Sequence, residues 1–157
     1  MIKNFKKIIY NKIKQKKAII GIIGLGYVGL PLALLMAKKG FNVVGYDIDK
    51  TKINKIKNKK SYLERISNNQ IKTTFKKNKF FSNFENIHLC DVLIICVPTP
   101  LKNKSPNLEF IKNTVSMIKN KLRNNQLLIL ESTSYPGTTR DLIVKNLEKK
   151  FTIGKNF

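Results

Sequence analysis

Gly21-Ile-Ile-Gly24-Leu-Gly26-Tyr-Val-Gly29-Leu-Pro31, followed at position 47 by an aspartate, is the stretch that decides how this chain folds. A G-x-G-x-x-G spacing is weak by itself. Here an apolar β-type run, Ala18 to Ile23, precedes it, and a helical pattern from Leu32 to Lys39 follows, stopped by Gly40. A second β-type run, Asn42 to Tyr46, then delivers Asp47. Strand, tight turn, helix, strand and acid in that order make a dinucleotide-binding βαβ unit. Gly24 permits the turn, Gly26 lets the backbone approach a pyrophosphate, and Gly29 lets helix and strand pack closely. The first amides of the helix lack intrahelical partners, so together with the helix dipole they attract the diphosphate.

Asp47 selects the cofactor. It stands 23 residues after Gly24, near the offset of about 20 at which an acid meets the adenosine ribose. A carboxylate there accepts hydrogen bonds from both ribose hydroxyls and repels a 2′-phosphate. The expectation is NAD rather than NADP.

The uncharged run 18–37 also passes a crude membrane-span screen, and the lysine-rich leader before it has the look of a signal peptide's basic region. Glycines at 21, 24, 26 and 29 and Pro31 divide that run at the spacing of a phosphate loop, so a soluble, cytoplasmic protein without a spanning helix is expected. At 157 residues the chain amounts to one domain. Its two cysteines, Cys90 and Cys96, lie in strand-like surroundings and offer no disulfide framework. Cys96 reads as a small buried hydrophobe. His88 is the only histidine, with no cluster at metal spacing, so no metal site is expected.

The net charge of +22 invites a nucleic-acid reading. The lysines are spread along the whole chain, however, and only Arg65, Arg123 and Arg140 of the 31 basic residues are arginines, the type that reads base edges. No specific nucleic-acid partner is expected, and nonspecific polyanion binding is a side effect of composition.

Residues 1–17 form a basic leader with Ile2, Phe5, Ile9 and Ile13 at near-helical spacing, which predicts an amphipathic helix. It would pack on its own domain or a partner subunit, with a peripheral membrane anchor as the alternative. From Ala18 on, β and helical patterns alternate. Strands are expected at 18–23, 42–46, near Phe80, at 91–97 and at 126–132. Helices are expected over 27–39, 50–58, 84–89, 108–122 and 138–150, with a short helical turn at 61–67. This is an α/β chain of Rossmann type: one domain, 18–157, with a doubly wound parallel sheet. Ligands bind such sheets at the carboxyl ends of the strands. The fourth strand ends in Val97-Pro98-Thr99-Pro100 and the fifth in Glu131-Ser132-Thr133-Ser134. Thr138 and Thr139 read as helix caps. Ser132 and Thr133 come too early for capping and are expected to face the ligand.

GLGYVGLP, VPTP and ESTSYPGTT, in this order and spacing, resemble the NAD-binding domain of the UDP-glucose/GDP-mannose dehydrogenase family, over essentially the whole chain. The basic leader, SYLE at 61–64 and ESTSYPGTT at 131–139 resemble most the branch acting on UDP-N-acetylglucosamine or its manno epimer. The family oxidises a sugar C6 alcohol to a carboxylate in two NAD-dependent hydride transfers, for polysaccharide biosynthesis. A cysteine holds the aldehyde-level intermediate as a thiohemiacetal that becomes a thioester. By that resemblance Gly24, Leu25, Gly26, Tyr27, Val28 and Gly29 hold the pyrophosphate, and Asp47 and Lys52 reach the adenosine ribose. Val97, Pro98, Thr99 and Pro100 line the cofactor. Ser132 and Thr133 sit beside the nicotinamide, Thr133 as a supporting catalytic group. Lys52 stands where some members carry arginine, keeping the charge without the planar fork. Asn107 stands where aspartate is frequent, a change with no evident consequence. The implied partners are a UDP-sugar and, for a full-length enzyme, further copies of itself.

The family's nucleophilic cysteine and its central and C-terminal substrate domains belong to segments beyond Phe157, and neither Cys90 nor Cys96 matches the nucleophile. The chain is therefore expected to be inactive alone, as a fragment, a broken reading frame or one half of a split enzyme. Two other readings fit the bare phosphate-loop motif: the cofactor domain of a hydroxyacid or phosphogluconate-type dehydrogenase, and a basic, non-enzymatic polyanion-binding module on a degenerate Rossmann scaffold.

Overall fold

The computed structural model describes residues 5–102 and 104–157. Its centre is a five-stranded parallel sheet of order β3-β2-β1-β4-β7, built from β1 (Ile19–Ile23), β2 (Asn42–Tyr46), β3 (Lys79–Phe81), β4 (Val92–Ile95) and β7 (Leu127–Leu130). The middle strands, IIGII and VLII, carry apolar residues on both faces because both faces are covered.

One face holds helices α1 (Phe5–Lys14), α2 (Gly29–Lys38), α3 (Lys50–Lys57) and α4 (Asn68–Thr74), whose Ile9, Leu30, Ile53 and Ile71 pack on Ile20 and Ile22. The opposite face holds α5 (Glu109–Ile118) and the closing helix, which runs π-helically over Thr139–Val144 into α6 (Lys145–Leu147). There Ile111, Val115, Ile143 and Leu147 pack on Ile23, Leu93 and Ile95. The chain crosses one face while building β1, β2 and β3, then returns to the middle and crosses the other while building β4 and β7. The reversal opens a crevice between the carboxyl ends of β1 and β4.

The basic leader is a helix packed on its own domain. Phe5 and Ile9 are buried in the core, whereas Tyr10 and Ile13 face outward; Ile2 lies outside the described residues. Lys12 also reaches the inner end of β4, where its Nζ lies 2.7 Å from the Asp91 carboxylate. No helix among the described residues is long and apolar enough to cross a membrane, and the run 18–37 is divided into a strand and a helix as its glycines require.

Several boundaries differ from the sequence reading. The stretch from 61 to 67 is a turn without a helix, and the lysine-rich segment after it contains α4. That helix is started by a capping box, in which Gln70 N–H donates to Ser67 Oγ (3.1 Å) and Ser67 N–H donates to Gln70 Oε1 (2.7 Å). The helix expected over 84–89 shrinks to one 3-10 turn, Ile87–Leu89. A small antiparallel hairpin, β5 (Leu101–Lys102) with β6 (Ser105–Pro106), was not foreseen. Thr138 caps nothing: its buried hydroxyl donates to the Tyr135 carbonyl (2.7 Å) and locks the preceding turn.

Candidate functional site

A cleft of about 1230 Å³ opens at the carboxyl ends of β1, β2, β4 and β7. Its floor is the turn from β1 into α2. The first intrahelical bond there runs from Leu30 N–H to Gly26 C=O (3.1 Å), so the amides of the turn precede the helical ladder. Gly24 takes a φ of +90°, and a methyl on it would press on the Cys96 carbonyl at 2.9 Å. On Gly29 a methyl would overlap the Gly24 carbonyl oxygen. On Gly26 it would meet nothing within 4 Å, so the absent side chain there leaves open space beside a backbone that lines the cleft.

Asp47, at the end of β2, is 7 % exposed and lines the same cleft. Its Oδ2 accepts from Leu25 N–H at 2.8 Å, and Lys52 Nζ lies 3.4 Å away; its Oδ1 accepts from Asp49 N–H at 2.9 Å. The acid therefore fastens the phosphate loop to the sheet; two donors occupy Oδ2, and Oδ1, with one donor, keeps an accepting site. Next to it, Asp49 caps α3 through Thr51 and Lys52 N–H. Hydrogen bonds from the Thr51 hydroxyl and amide hold its carboxyl below the ordinary range.

Of the residues singled out in the sequence, Gly24, Gly26, Tyr27, Val28, Asp47, Lys52, Val97, Pro98, Thr99, Ser132 and Thr133 come together around this cleft. Three do not line it. Leu25 has its side chain in the core, fully buried, and Gly29 is enclosed by the loop it packs against. Pro100 is exposed and is not among the residues that line the cleft. Ser132 lines the cleft, but its hydroxyl donates to Val97 C=O at 2.7 Å and so ties the end of β7 to the end of β4. Thr133 beside it is exposed.

The sequence reading missed lining residues on both faces of the sheet. Tyr62 and Leu63 from the turn after α3, Phe84, and Phe110, Asn113, Thr114 and Met117 of α5 also line the cleft. Phe110, Asn113 and Met117 recur at helical spacing and share a face with Thr114. That signal was present in the sequence and was indistinguishable there from a core stripe.

Neither thiol is poised for chemistry. Cys90 is fully buried, and burial pushes it up to about 11. Cys96 touches the cleft at 7 % exposure, and burial, with the Glu131 charge adding to it, pushes it up to about 12. Both should resist iodoacetamide at pH 8 in the folded chain and react fully in guanidinium. Stoichiometric native labelling, counted by mass spectrometry, would contradict this burial. No trio of His, Cys, Asp or Glu among the described residues is placed to hold a metal.

The sequence profile of the UDP-glucose/GDP-mannose dehydrogenase family, NAD binding domain, matches residues 18–156. The chain belongs to this family. It is 35% identical over 133 residues to the UDP-N-acetyl-D-mannosamine dehydrogenase of Pyrococcus horikoshii, covering 82% of this chain and 32% of that protein. It is 34% identical over 131 residues to the UDP-N-acetyl-D-glucosamine 6-dehydrogenase of Pseudomonas aeruginosa, covering 83% and 31%. The solved UDP-N-acetyl-mannosamine dehydrogenase of Staphylococcus aureus superposes with a TM-score of 0.80 at 31% identity, covering 88% of this chain and 35% of that one. The chain thus spans about a third of the length of these dehydrogenases, the third that binds NAD. Family membership sets aside the hydroxyacid and phosphogluconate-type alternative. α1 lies outside the matched segment, yet it is welded to the domain through Phe5, Ile9 and Lys12.

The open space at Gly26, the unused amides of the turn and the buried acid at the end of β2 fit an adenine dinucleotide: donors where phosphates lie, acceptors where ribose hydroxyls lie.

Proposed function

We propose that this chain is the cofactor-binding part of a cytoplasmic, homo-oligomeric dehydrogenase that oxidises the C6 alcohol of a UDP-sugar to the uronic acid. The sugar is UDP-N-acetylglucosamine, UDP-N-acetylmannosamine or UDP-glucose. The observation that carries the reading is Asp47, a nearly buried carboxylate that borders both the phosphate loop and the cleft. Bound NAD supplies the hydride acceptor. The chain's own residues position it. The amides of Gly26 to Val28 meet the pyrophosphate, Asp47 and Lys52 take the adenosine ribose, and Val97 to Thr99 with Thr133 border the nicotinamide end. Leu25, Gly29 and Ser132 act behind that surface by holding the loop and the strand ends in place, and Pro100 drops out of the binding set. With both thiols buried and protonated, no residue here is fit to trap an aldehyde covalently, so the chain alone does not complete the oxidation.

Calorimetric titration tests the reading. The chain should bind NADH and reject NADPH, and Asp47→Ala should weaken NADH by about 1–3 kcal/mol, the cost of unpaired polar partners. Equal affinity for the two cofactors would sink the assignment. Incubation with NAD and each UDP-sugar should yield no NADH unless a separately expressed downstream polypeptide is added. Two NADH per sugar from this chain alone would place the chemistry within it.

A further inference from the structure

The segment Ser61-Tyr-Leu-Glu64 resembles one branch of the family, and the cofactor assignment gives it no role. In the fold its tyrosine crosses to the phosphate loop: the Tyr62 hydroxyl donates to Leu25 C=O at 2.5 Å. That carbonyl lies outside the helical ladder, which begins one residue later at Gly26, and Leu25 is fully buried, so water does not replace the tyrosine. Leu25 N–H is held by Asp47 Oδ2 at 2.8 Å. The residue between Gly24 and Gly26 is therefore gripped at both its amide and its carbonyl, by side chains from two different segments. We propose that Tyr62 is a positioning residue for NAD, its hydroxyl fixing the Leu25 carbonyl so that the following amides face the pyrophosphate.

The tyrosine is itself braced. Ser61 N–H donates to Asn68 Oδ1 (2.7 Å), and the Ser61 hydroxyl donates to Leu63 C=O (3.0 Å). Burial first, then the nearby Asp47 and Asp49 charges, push the phenol well above its ordinary range, so it remains a donor across physiological pH. The ring lines the cleft beside Asp47, Thr51 and Lys55, which puts the hydroxyl's effect at the adenosine end as well as in the loop. A flat ring kept at this position but lacking its hydroxyl would leave the shape of the cleft wall intact while releasing the carbonyl, and that separates positioning from packing.

This inference rests on the NAD reading of the cleft, and the experiment separates the two. Tyr62→Phe and the parent chain are compared by NADH titration, thermal melting and amide hydrogen exchange resolved to residues 24–30. Tyr62→Phe should raise the NADH Kd on the order of tenfold and speed exchange at the Leu25 amide, which Asp47 protects in the parent. Amides of β4 and β7 should exchange as in the parent. Ile66→Ala serves as the control: it removes core packing from the same turn without lining the cleft, so it should lower the melting temperature while the Leu25 amide keeps its protection relative to the sheet. An unchanged Kd with unchanged loop exchange in Tyr62→Phe overturns the proposal. So does exchange quickened evenly across the sheet, which would mark Tyr62 as a packing residue only. A parent chain that binds no NADH sinks the cofactor reading instead, and the exchange comparison still decides the role of Tyr62.

Discussion

Gly29→Ala is expected to weaken NADH binding strongly and to lower the stability of the domain together. The added methyl would occupy the space of the Gly24 carbonyl oxygen, with the Gly24 carbonyl carbon at 2.9 Å and Cys96 Cβ at 3.3 Å. The obstacle is backbone, so no rotamer change relieves it; either α2 lifts from β1 or the Gly24 turn opens. Overpacking of this kind costs about 1–3 kcal/mol and more where backbone must shift. Because the displaced atoms are those that shape the phosphate site, the NADH Kd should rise by roughly a hundredfold or more, equivalent to about 2.7 kcal/mol. Gly26→Ala is the contrasting variant. Its methyl meets nothing in the protein, so the melting temperature should stay near that of the parent while NADH affinity still falls, the methyl now standing in the cleft. Urea denaturation and NADH fluorescence on both variants decide it. A Gly29→Ala chain with parental stability and affinity would show that the turn is not packed as described.

What was legible in the sequence follows the same physics. The β1–α2–β2 unit could be read because each of its constraints is local: a turn that only glycine makes, a helix that stops at Gly40, an acid at the strand end. The apolar runs Asp91–Val97 and Gln126–Ser132 could be read because strands covered on both faces carry unbroken hydrophobic residues. α4 was hidden by composition, since Asn68, Asn69, Lys72, Thr73 and Thr74 carry no apolar period and its start rests on the Ser67–Gln70 capping box. The cleft residues from Tyr62 and from α5 were hidden for another reason. Residues that meet only in the folded chain leave no spacing signal, and Phe110 and Met117 carry the same pattern whether they face a core or a ligand. The described lysines lie mostly on exposed faces around an apolar core.

Asp91→Ala should destabilise the domain by about 2–4 kcal/mol at neutral pH, with no direct effect on the cleft, which lies at the other end of the strands. Asp91 is 3 % exposed, and three donors converge on it: Lys12 Nζ at 2.7 Å, Ile19 N–H at 3.0 Å and Arg123 Nη2 at 3.2 Å. One carboxylate thus joins the leader helix, the first residue of β1 and the loop leading into β7. The cost stays below that of a fully enclosed pair because Lys12 and Arg123 are 44% and 39% exposed and can turn to water, whereas Ile19 N–H loses its side-chain partner outright. Burial acts to raise the carboxyl, but the hydrogen bonds from Lys12 and Ile19 N–H, the Lys12 charge and the Arg123 contact outweigh it and hold the group below the ordinary carboxylate range. A folded-state pKa below the unfolded one contributes stability that is complete above the unfolded value of about 4 and is lost as pH falls through the folded value. Asp91→Asn keeps an acceptor for Ile19 N–H and removes the charge, so it should be less stable than the parent at pH 7, and the gap should narrow as pH falls below the unfolded carboxyl value. Urea denaturation of parent and Asp91→Asn at pH 7, 5 and 3 measures the difference. A stability gap that stays constant across those three conditions would show that the Asp91 charge does not hold the leader to the sheet, and that α1 stays on through Phe5 and Ile9 alone.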